Sequence, residues 1–594
     1  MNINRNVIQD TQHAFLVAWG GFAEYLGLPE KIEAIPLKQK HYIHSPQSKV
    51  LEFLVSILAG SQHMQDISLA AHPLDKDQAV AEAWGQAGWA DYSGVSRTQS
   101  KLSWQEVQQI ARVLDQVSQP YITAELNLLR SQGARVRLDG DLTGLPVSST
   151  SRTYPNAAFG HMDDEIRLGY QAAVVSMESP TYKRLWLSDT HHPGDTVSST
   201  QAEALVLSAE AHLERKPKRR TELLRQRIAV LEQQLAEIGK RREAQELILE
   251  QTKKRLVDGE QQQQERRQQL DTLTQAYQAR QRKERPSSSL AQTRKRSQAA
   301  ENRLKSRQKA WREAQTRLEK TKICWQEQAA AISDLYKRLA RFEQENASNF
   351  DPMEAEFRLD AGFGTYTNVA LLIEMGYEVY TKPYSQKIVS MLKQKVTEQT
   401  NWTRVGANAE LVAWSNLQLE KAPYPLDVAL ERFYTGKTIK HGALLHYGVD
   451  PAVANLTSWF QHYNGRQTIE AGIKEEKQVF YLHHIKVRSE PAIYLQECFI
   501  LFAANFIRWA ARWLAEQEQP IENALNISGL GIKRQVQVGA HVSAQVIRIS
   551  DGRLLRFNED SAFAGKLLKL PLARQQIPRP KFLDVLSRFL SNRF

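Results

Sequence analysis

The stretch from residue 200 to about 346 limits the fold most strongly. It is low in Gly and rich in Glu, Gln, Arg, Lys and Leu. On its first arm Leu224, Ile228, Leu231, Leu235 and Ile238 follow 4-3-4-3 spacing. On the second, Leu304, Trp311, Leu318, Trp325, Ile332 and Leu339 recur every seven residues. An apolar seam with this period is what two helices need in order to wind together. Between the arms, Pro286 and the three serines of KERPSSSLAQ break the helix, and Pro217 marks the base of the first arm. The arms are nearly equal in length, so the economical reading is an intramolecular antiparallel hairpin. At about 1.5 Å per residue it would extend roughly 85 to 95 Å. Such a rod is an insertion, assigned to residues 204–346, into a chain that folds around its base.

The rest is long enough for several domains: the chain has 594 residues. Its formal net charge is +12 and its pI about 9.4, with a dense share of the excess in the helical segment. That balance fits a nucleic-acid partner. Two cysteines far apart, Cys324 and Cys498, argue against a disulfide framework or a cysteine-based zinc site and fit a reducing compartment. No stretch approaches transmembrane length, and the start, MNINRNVIQDTQ, has no apolar signal core. The expectation is a cytoplasmic protein with no membrane partner.

Residues 1–130 read as helical, with an apolar helix over Val50–Leu58 ending near Gly60 and another from Trp104 to about Val117. Between them, Arg97, Gln99 and Lys101 follow a Gly/Ser turn. This is either a helix-turn-helix that reads DNA or a plain helical subdomain. From residue 134 the pattern changes to strands: ARVRLDGDLTGLP, LGYQAAVVSM and KRLWLSDTHHPGDTV. Past the hairpin, FRLDAGFGTYTNVALLIEMGYEVYTK reads as strand, turn, helix, strand. Residues 400–446 read as a β-rich insertion, and helices follow to about 515. Residues 516–594 read as a β-hairpin turning at Ser550-Asp551-Gly552, with a helical segment.

The chemistry lies in spacing. Tyr463, Arg466, Glu470 and Lys477 form Y-x2-R-x3-E-x6-K within HYNGRQTIEAGIKEEKQ. Steps of three, four and seven stack them along one stripe of a helix. Upstream, Asp141 ends the first strand in LDGDLTG, and Asp360 ends a later one in RLDAGFG. The four-residue spacing resembles the signature of the bacterial insertion-sequence DDE transposases of the YREK type. Asp141-Leu142-Thr143, Pro193-Gly194-Asp195 and Asp360-Ala361-Gly362-Phe363 resemble that family's further motifs, in the same order, over roughly residues 130–200 and 355–510.

That resemblance implies an α/β ribonuclease H-like catalytic core (residues 131–203 and 347–515) beside the helical N-terminal domain, the coiled-coil insertion and the C-terminal β/helical segment. It implies Asp141, Asp360 and Glu470 as the catalytic carboxylates, holding two magnesium ions for which manganese can substitute. Hard oxygen ligands of this kind suit two-metal phosphoryl transfer. It implies Arg466 and Lys477 on DNA phosphates near the cut and Tyr463 on a terminal phosphate. The implied partners are double-stranded DNA, as element terminal inverted repeats and target DNA, and a second copy of the chain, as a homodimer on DNA. A ribonuclease H-like nuclease, or a domesticated transposase without strand transfer, fits the same residues.

Some residues stay outside that scheme. Asp139 shares a strand face with Asp141, and either could be the first ligand, with the Asp-x-Thr match favouring Asp141. Trp402, Trp414 and Trp459 are candidates for base stacking or for core packing. His191, His192, His483 and His484 lack a metal-ligand pattern and stay unassigned. Thr435-Gly436-Lys437-Thr438 is no phosphate-binding loop, because Glu431 stands where its first glycine is needed. At the hairpin tip, seven cations, among them Arg294, Lys295 and Arg296, face only Glu284. They are expected to grip DNA phosphates without regard to sequence.

Overall fold

The computed structural model describes residues 8–39, 43–148, 153–162, 165–281, 287–436, 438–449, 451–516, 522–550 and 552–571. They form two compact units: Met1–Lys218 with Asp351–Phe594, and Arg219–Phe350.

The first unit is mixed α/β. Its strands, in chain order, are β1 (Ile8–Thr11), β2 (Val136–Pro146), β3 (Ala158–Met162), β4 (Glu165–Ser179), β5 (Lys183–Pro193), β6 (Ala355–Leu359), β7 (Glu378–Thr381), β8 (Thr403–Arg404), β9 (Ala409–Leu417), β10 (Leu426–Thr435), β11 (Thr438–Tyr447), β12 (Ala544–Ile549), β13 (Gly552–Phe557) and β14 (Leu567–Pro571). Ten of these make one mixed sheet in the order β3-β4-β2-β6-β7-β11-β10-β9-β8, with β5 also on β4. β2, β4 and β5 pair antiparallel, whereas β6 runs parallel to β2, and β7 parallel to β6. β4 is buried continuously from Tyr170 to Met177. It therefore reads as an unbroken apolar run rather than an alternating one.

Two features depart from the sequence expectation. β3 was not foreseen: AFGHM is short, half-exposed and carries a glycine, so it has little strand pattern of its own. The β-rich stretch 400–446 continues the main sheet, because β11 pairs antiparallel with β7. Gly436 turns β10 into β11, so the Gly-Lys-Thr run sits at a hairpin and not at the strand-to-helix turn a phosphate loop needs. Lys437 itself lies outside the described residues.

The N-terminal region is helical as expected, but longer in its last element. The helix Trp104–Ser131 opens with a reciprocal cap between Ser103 and Glu106 and runs through Pro120. An interior proline costs about 3 kcal/mol. Here burial on both sides of it compensates, from Val113, Leu114 and Val117 before to Ile122, Leu126 and Leu129 after. Gln99 is fully buried, so it cannot read DNA, whereas Arg97 and Lys101 are exposed. β1 joins β12, β13 and β14 in a four-stranded sheet, which ties the two ends of the chain together. The C-terminal helical expectation beyond Pro571 and the Asp551 turn position lie outside the described residues.

Contrary to the expectation that no stretch approaches transmembrane length, the helix Glu490–Glu516 is long and apolar enough to cross a membrane, and 78% of its most apolar window is buried in the fold. Phe506 meets Phe22 and Trp84 of the N-terminal region, and Trp509 stacks on Tyr121 at 4.4 Å. Asn505 brackets the backbone of Trp186 on β5, donating to its carbonyl at 2.8 Å and accepting from its N–H at 3.0 Å. One helix thus joins the N-terminal helices to the sheet.

The second unit holds two long helices, Thr221–Ala279 and Ser287–Ser348, of 59 and 62 residues, or about 88 and 93 Å. They pair antiparallel: Arg225 bonds Glu343, Tyr336 donates to Glu232 at 2.7 Å, and Lys322 lies 3.5 Å from Glu246. The seam residues Leu318, Ile332 and Leu339 are buried, while Leu231, Leu235, Trp311 and Trp325 are half-buried. The three serines open the second helix rather than break the chain, and Pro286 lies outside the described residues. Residues 202–213, assigned partly to the hairpin from sequence, form a separate helix of the first unit.

Glu52, on the helix Pro46–Leu58, is fully buried and accepts from the Ala90 N–H at 2.9 Å. Burial pushes its pKa up from 4.5 to about 9, with the Ala90 bond pulling the other way. The folded chain therefore holds a proton that the unfolded chain releases across that window, and stability falls as pH rises through it. Glu52→Gln should lose less of its thermal midpoint than the unaltered protein as pH is raised from about 7 to 9, the remaining loss coming from other buried carboxyls such as Glu476 and Asp189. Parallel declines in the two melting curves would contradict this.

Candidate functional site

The site begins where two parallel strands end unequally. Pairing of β2 with β6 closes at Gly140 opposite Leu359. The next residue on each is an aspartate, so Asp141 and Asp360 emerge side by side. Asp141 is thus not at the end of β2, which runs on to Pro146; it is at the point where β2 outruns β6. Gly140 is required here: a Cβ would lie 2.8–3.0 Å from Leu205, Leu359 and Phe357. Asp360 then enters a turn whose Phe363 N–H donates to its carboxylate at 3.3 Å.

The four signature residues are not on one uninterrupted helix. Tyr463 lies at the end of Leu456–Asn464, and Arg466 precedes Gln467–Val479. The junction tightens to i→i+3 bonds: Arg466 N–H to Tyr463, Thr468 to Gly465 and Ile469 to Arg466. Gly465 makes room for a partner, since a Cβ there would sit 2.6 Å from the Arg358 guanidinium.

Arg466 joins the carboxylates. Its Nη1 is 3.6 Å from Asp141 Oδ2, and its Nη2 donates to Glu470 Oε1. Burial pushes the Asp141 pKa up to about 6; Arg466 pulls it down, and Asp360 and Glu470 push it up again. Burial also raises Asp360, with Arg466 opposing and Glu470 adding. Burial works against the charge of Arg466, but Tyr463, Asp141, Glu470 and Asp360 outweigh it and hold its pKa above the ordinary value.

Among the described residues, no group of three His, Cys, Asp or Glu converges closely enough to hold a metal ion. The donor chemistry suits a hard divalent cation: carboxylate oxygens in a partly buried, mutually repelling set. The guanidinium stands among them as the cation of this arrangement. The carboxylates fit a metal only with Arg466 withdrawn.

The other expected residues fall elsewhere. Lys477 is half-buried, two helical turns and about 10 Å beyond Glu470. Tyr463 is 4% exposed in a core cluster with Leu411, Ala429, Leu444 and Trp459, its hydroxyl 3.5 Å from the Leu359 carbonyl. It has no open face for a phosphate. Trp459 is likewise core, while Trp402 lies under Arg432 at 4.0 Å. His191 bonds Glu497 at 2.8 Å, a structural role. Arg294, Lys295 and Arg296 are exposed on the third turn of their helix in the second unit.

Sequence reasoning missed two supports. Arg358, two residue pairs below the aspartates, is bonded to both oxygens of Asp139, Nε to Oδ1 at 2.7 Å and Nη2 to Oδ2 at 2.8 Å. It also reaches Glu178 on β4 at 3.3 Å and the His462 carbonyl at 3.0 Å. Burial opposes its charge, but the bonds and attraction of Asp139 prevail and raise its pKa. Asp139 is therefore occupied, and Asp141 is the aspartate of this strand that faces Asp360 and Glu470. Lys382, just past β7, lies 3.7 Å from Glu431 and over the Tyr463 ring at 5.5 Å. Burial pushes Glu431 up to about 7 against the pull of Lys382. A cation within an apolar strand, for Arg358, or right after one, for Lys382, is the local signal these residues give. No family model matches the chain, and no curated protein matches it.

The two aspartates of β2 should respond oppositely to removal. Asp139→Ala leaves Arg358 buried without its main partner and should cost on the order of 3 kcal/mol. The folded pKa of Asp141 lies above its unfolded value, so its carboxylate lowers stability as pH rises from 3.8 through about 6 and keeps it lowered above that. Asp141→Asn should thus raise the thermal midpoint at about pH 7.5 in chelator. Chemical denaturation of both variants checks the pair; a destabilised Asp141→Asn would refute the assignment.

Proposed function

We propose that the chain is a metal-dependent DNA strand-transfer enzyme, a DDE transposase of the bacterial insertion-sequence YREK type with a ribonuclease H-like core. One observation carries this: Asp141 and Glu470, far apart in sequence, flank the guanidinium of Arg466, and Asp360 lies within electrostatic reach of all three. Supporting the core assignment, β2, β4 and β5 pair antiparallel, the helix Ala202–Leu213 follows, and β6 and β7 run parallel to β2.

In this reading Asp141, Asp360 and Glu470 hold two magnesium ions, with manganese able to substitute, which would supply charge stabilisation at the transferring phosphoryl group and an acidified water or 3′-hydroxyl. The residues do the rest. The planar fork of Arg466 matches a phosphate as well as it matches carboxylates, so an incoming DNA strand draws it off Asp141 and Glu470. Lys477 offers a point charge to a phosphate further along the same helix. Tyr463, being buried, supports the end of β6 through Leu359 rather than meeting DNA. Asp139 and Arg358 hold the helix junction against the sheet, so that Arg466 and Glu470 stay over the strand ends. The substrates are the terminal inverted repeats of an element and its target DNA, in the bacterial cytoplasm, with a homodimer assembled on the paired ends.

The test is an end-cleavage and joining assay with magnesium or manganese. Asp141→Ala, Asp360→Ala and Glu470→Ala should each abolish cleavage and leave end binding within a few-fold, because metal ligation is separate from phosphate docking. Near-normal cleavage by any of the three would remove it from the set. Cleavage without joining by the unaltered protein would assign it to the nucleases instead. The mass of the end complex should correspond to two protomers.

A further inference from the structure

Residues 219–350 contain 30 Lys and Arg against 18 Asp and Glu, a formal +12 that equals the excess of the whole chain. The rest of the protein is balanced. Within this unit the excess is again one-sided. The helix Thr221–Ala279 carries ten cations and ten acids, whereas residues 294–322 of its partner carry eleven cations and three. A coiled coil that needed charge only for solubility would mix signs on both arms.

The cations of this half are also aligned. At 100° per residue, Arg294, Lys305, Lys309, Arg312 and Lys320 fall within about 80° of arc. The seam residues Leu304, Trp311 and Leu318 turn to another side, toward the paired arm, and Leu318 is buried there. All five cations are exposed. From Lys305 to Lys320 they line one open groove with Gln308, Glu313, Thr316 and Arg317. Lys305 is bonded to Glu301 at 2.8 Å, but among the described residues Arg294, Lys309, Arg312 and Lys320 make no ion pair. Glu301, Glu313 and Glu319 border the stripe, but exposed cations that outnumber the acids beside them repel one another, and a polyanion along the row relieves that repulsion.

From Arg294 to Lys320 the stripe is about 39 Å long. One turn of B-DNA is roughly 34–36 Å. A duplex lying along the helix would therefore offer phosphates of one strand to both ends of the stripe and those of the facing strand to its middle. We propose that the exposed face of the distal half of this helix, from Arg294 to Lys320, is a docking surface for the phosphate backbone of duplex DNA. It extends the tip cations into a track, it reads no sequence, and it does not depend on the chemistry of the carboxylate site.

The test uses the full-length chain and a random-sequence duplex of about 40 base pairs, longer than the track. Lys305→Gln, Lys309→Gln, Arg312→Gln and Lys320→Gln are combined. The comparison removes the same number of exposed charges from the other arm: Lys253→Gln, Lys254→Gln, Arg266→Gln and Arg267→Gln. Each phosphate contact contributes about 0.9 to the slope of log affinity against log salt. The track variant should flatten that slope by roughly 3 to 4, and the comparison variant by less than about 1. Equal losses in both would reduce the effect to net charge and overturn the proposal, as would an unchanged slope. Weakened binding to phosphatidylserine vesicles with duplex binding intact would also overturn it. If the unaltered protein cleaves no DNA, the catalytic reading fails while this result stands or falls separately.

Discussion

The bidentate pair between Asp139 and Arg358 is the constraint on which the site rests. A guanidinium 3% exposed and a carboxylate 2% exposed cannot be left unmatched in the interior. Their geometry fixes the register of β2 on β6, since Asp139 sits opposite Arg358. The remaining donors of Arg358 reach Glu178 on β4 and the His462 carbonyl, so one side chain touches three strands and a helix end. Gly465 exists at the junction because nothing larger fits beside that guanidinium. The position of Arg466 and Glu470 over Asp141 follows from this anchoring.

Above the anchored pair, the balance of charge reverses. Asp139 has a partner matched to both of its oxygens. Asp141 and Asp360 share one arginine with Glu470, and burial raises the pKa of both aspartates. A fold selected for stability alone would not keep two raised carboxylates beside a third. Burial raises Asp139 as well, so what separates the two neighbouring aspartates of one strand is the partner: Asp139 is bonded at both oxygens to Arg358, whereas Asp141 has only Arg466 at 3.6 Å.

What the sequence made legible was local. The seven-residue repeat predicts both arms of the hairpin, because the period of a paired helix is written in adjacent turns. Asp141 and Asp360 stand out because each follows a strand pattern. The short strand β3 is illegible, since five half-exposed residues with a central glycine carry no alternation. The pairing of β1 with β12 joins residues more than 500 apart, and β11 returns to β7 across a long excursion. Such pairings depend on which edges remain open after the rest has folded, which no local window records. The helix expected to end near Val117 runs to Ser131, because burial on both sides of Pro120 outweighs the local cost of the proline.

The placement of charge follows a different logic from the placement of apolar groups. In the first unit, cations are matched to carboxylates and define positions: Arg358 with Asp139 with both groups buried, and Lys382 with Glu431 and Arg466 with Glu470 with one partner of each pair buried. In the second, they stand exposed on a helix whose packing face is already satisfied by Leu318, Ile332 and Leu339. A buried pair costs desolvation of both ions and is kept where geometry matters. An exposed row costs only mutual repulsion, screened within about 10 Å at 0.1 M salt. The first arrangement suits a site that must hold a few atoms in place, and the second suits a surface that must meet a long, uniform anion in any register.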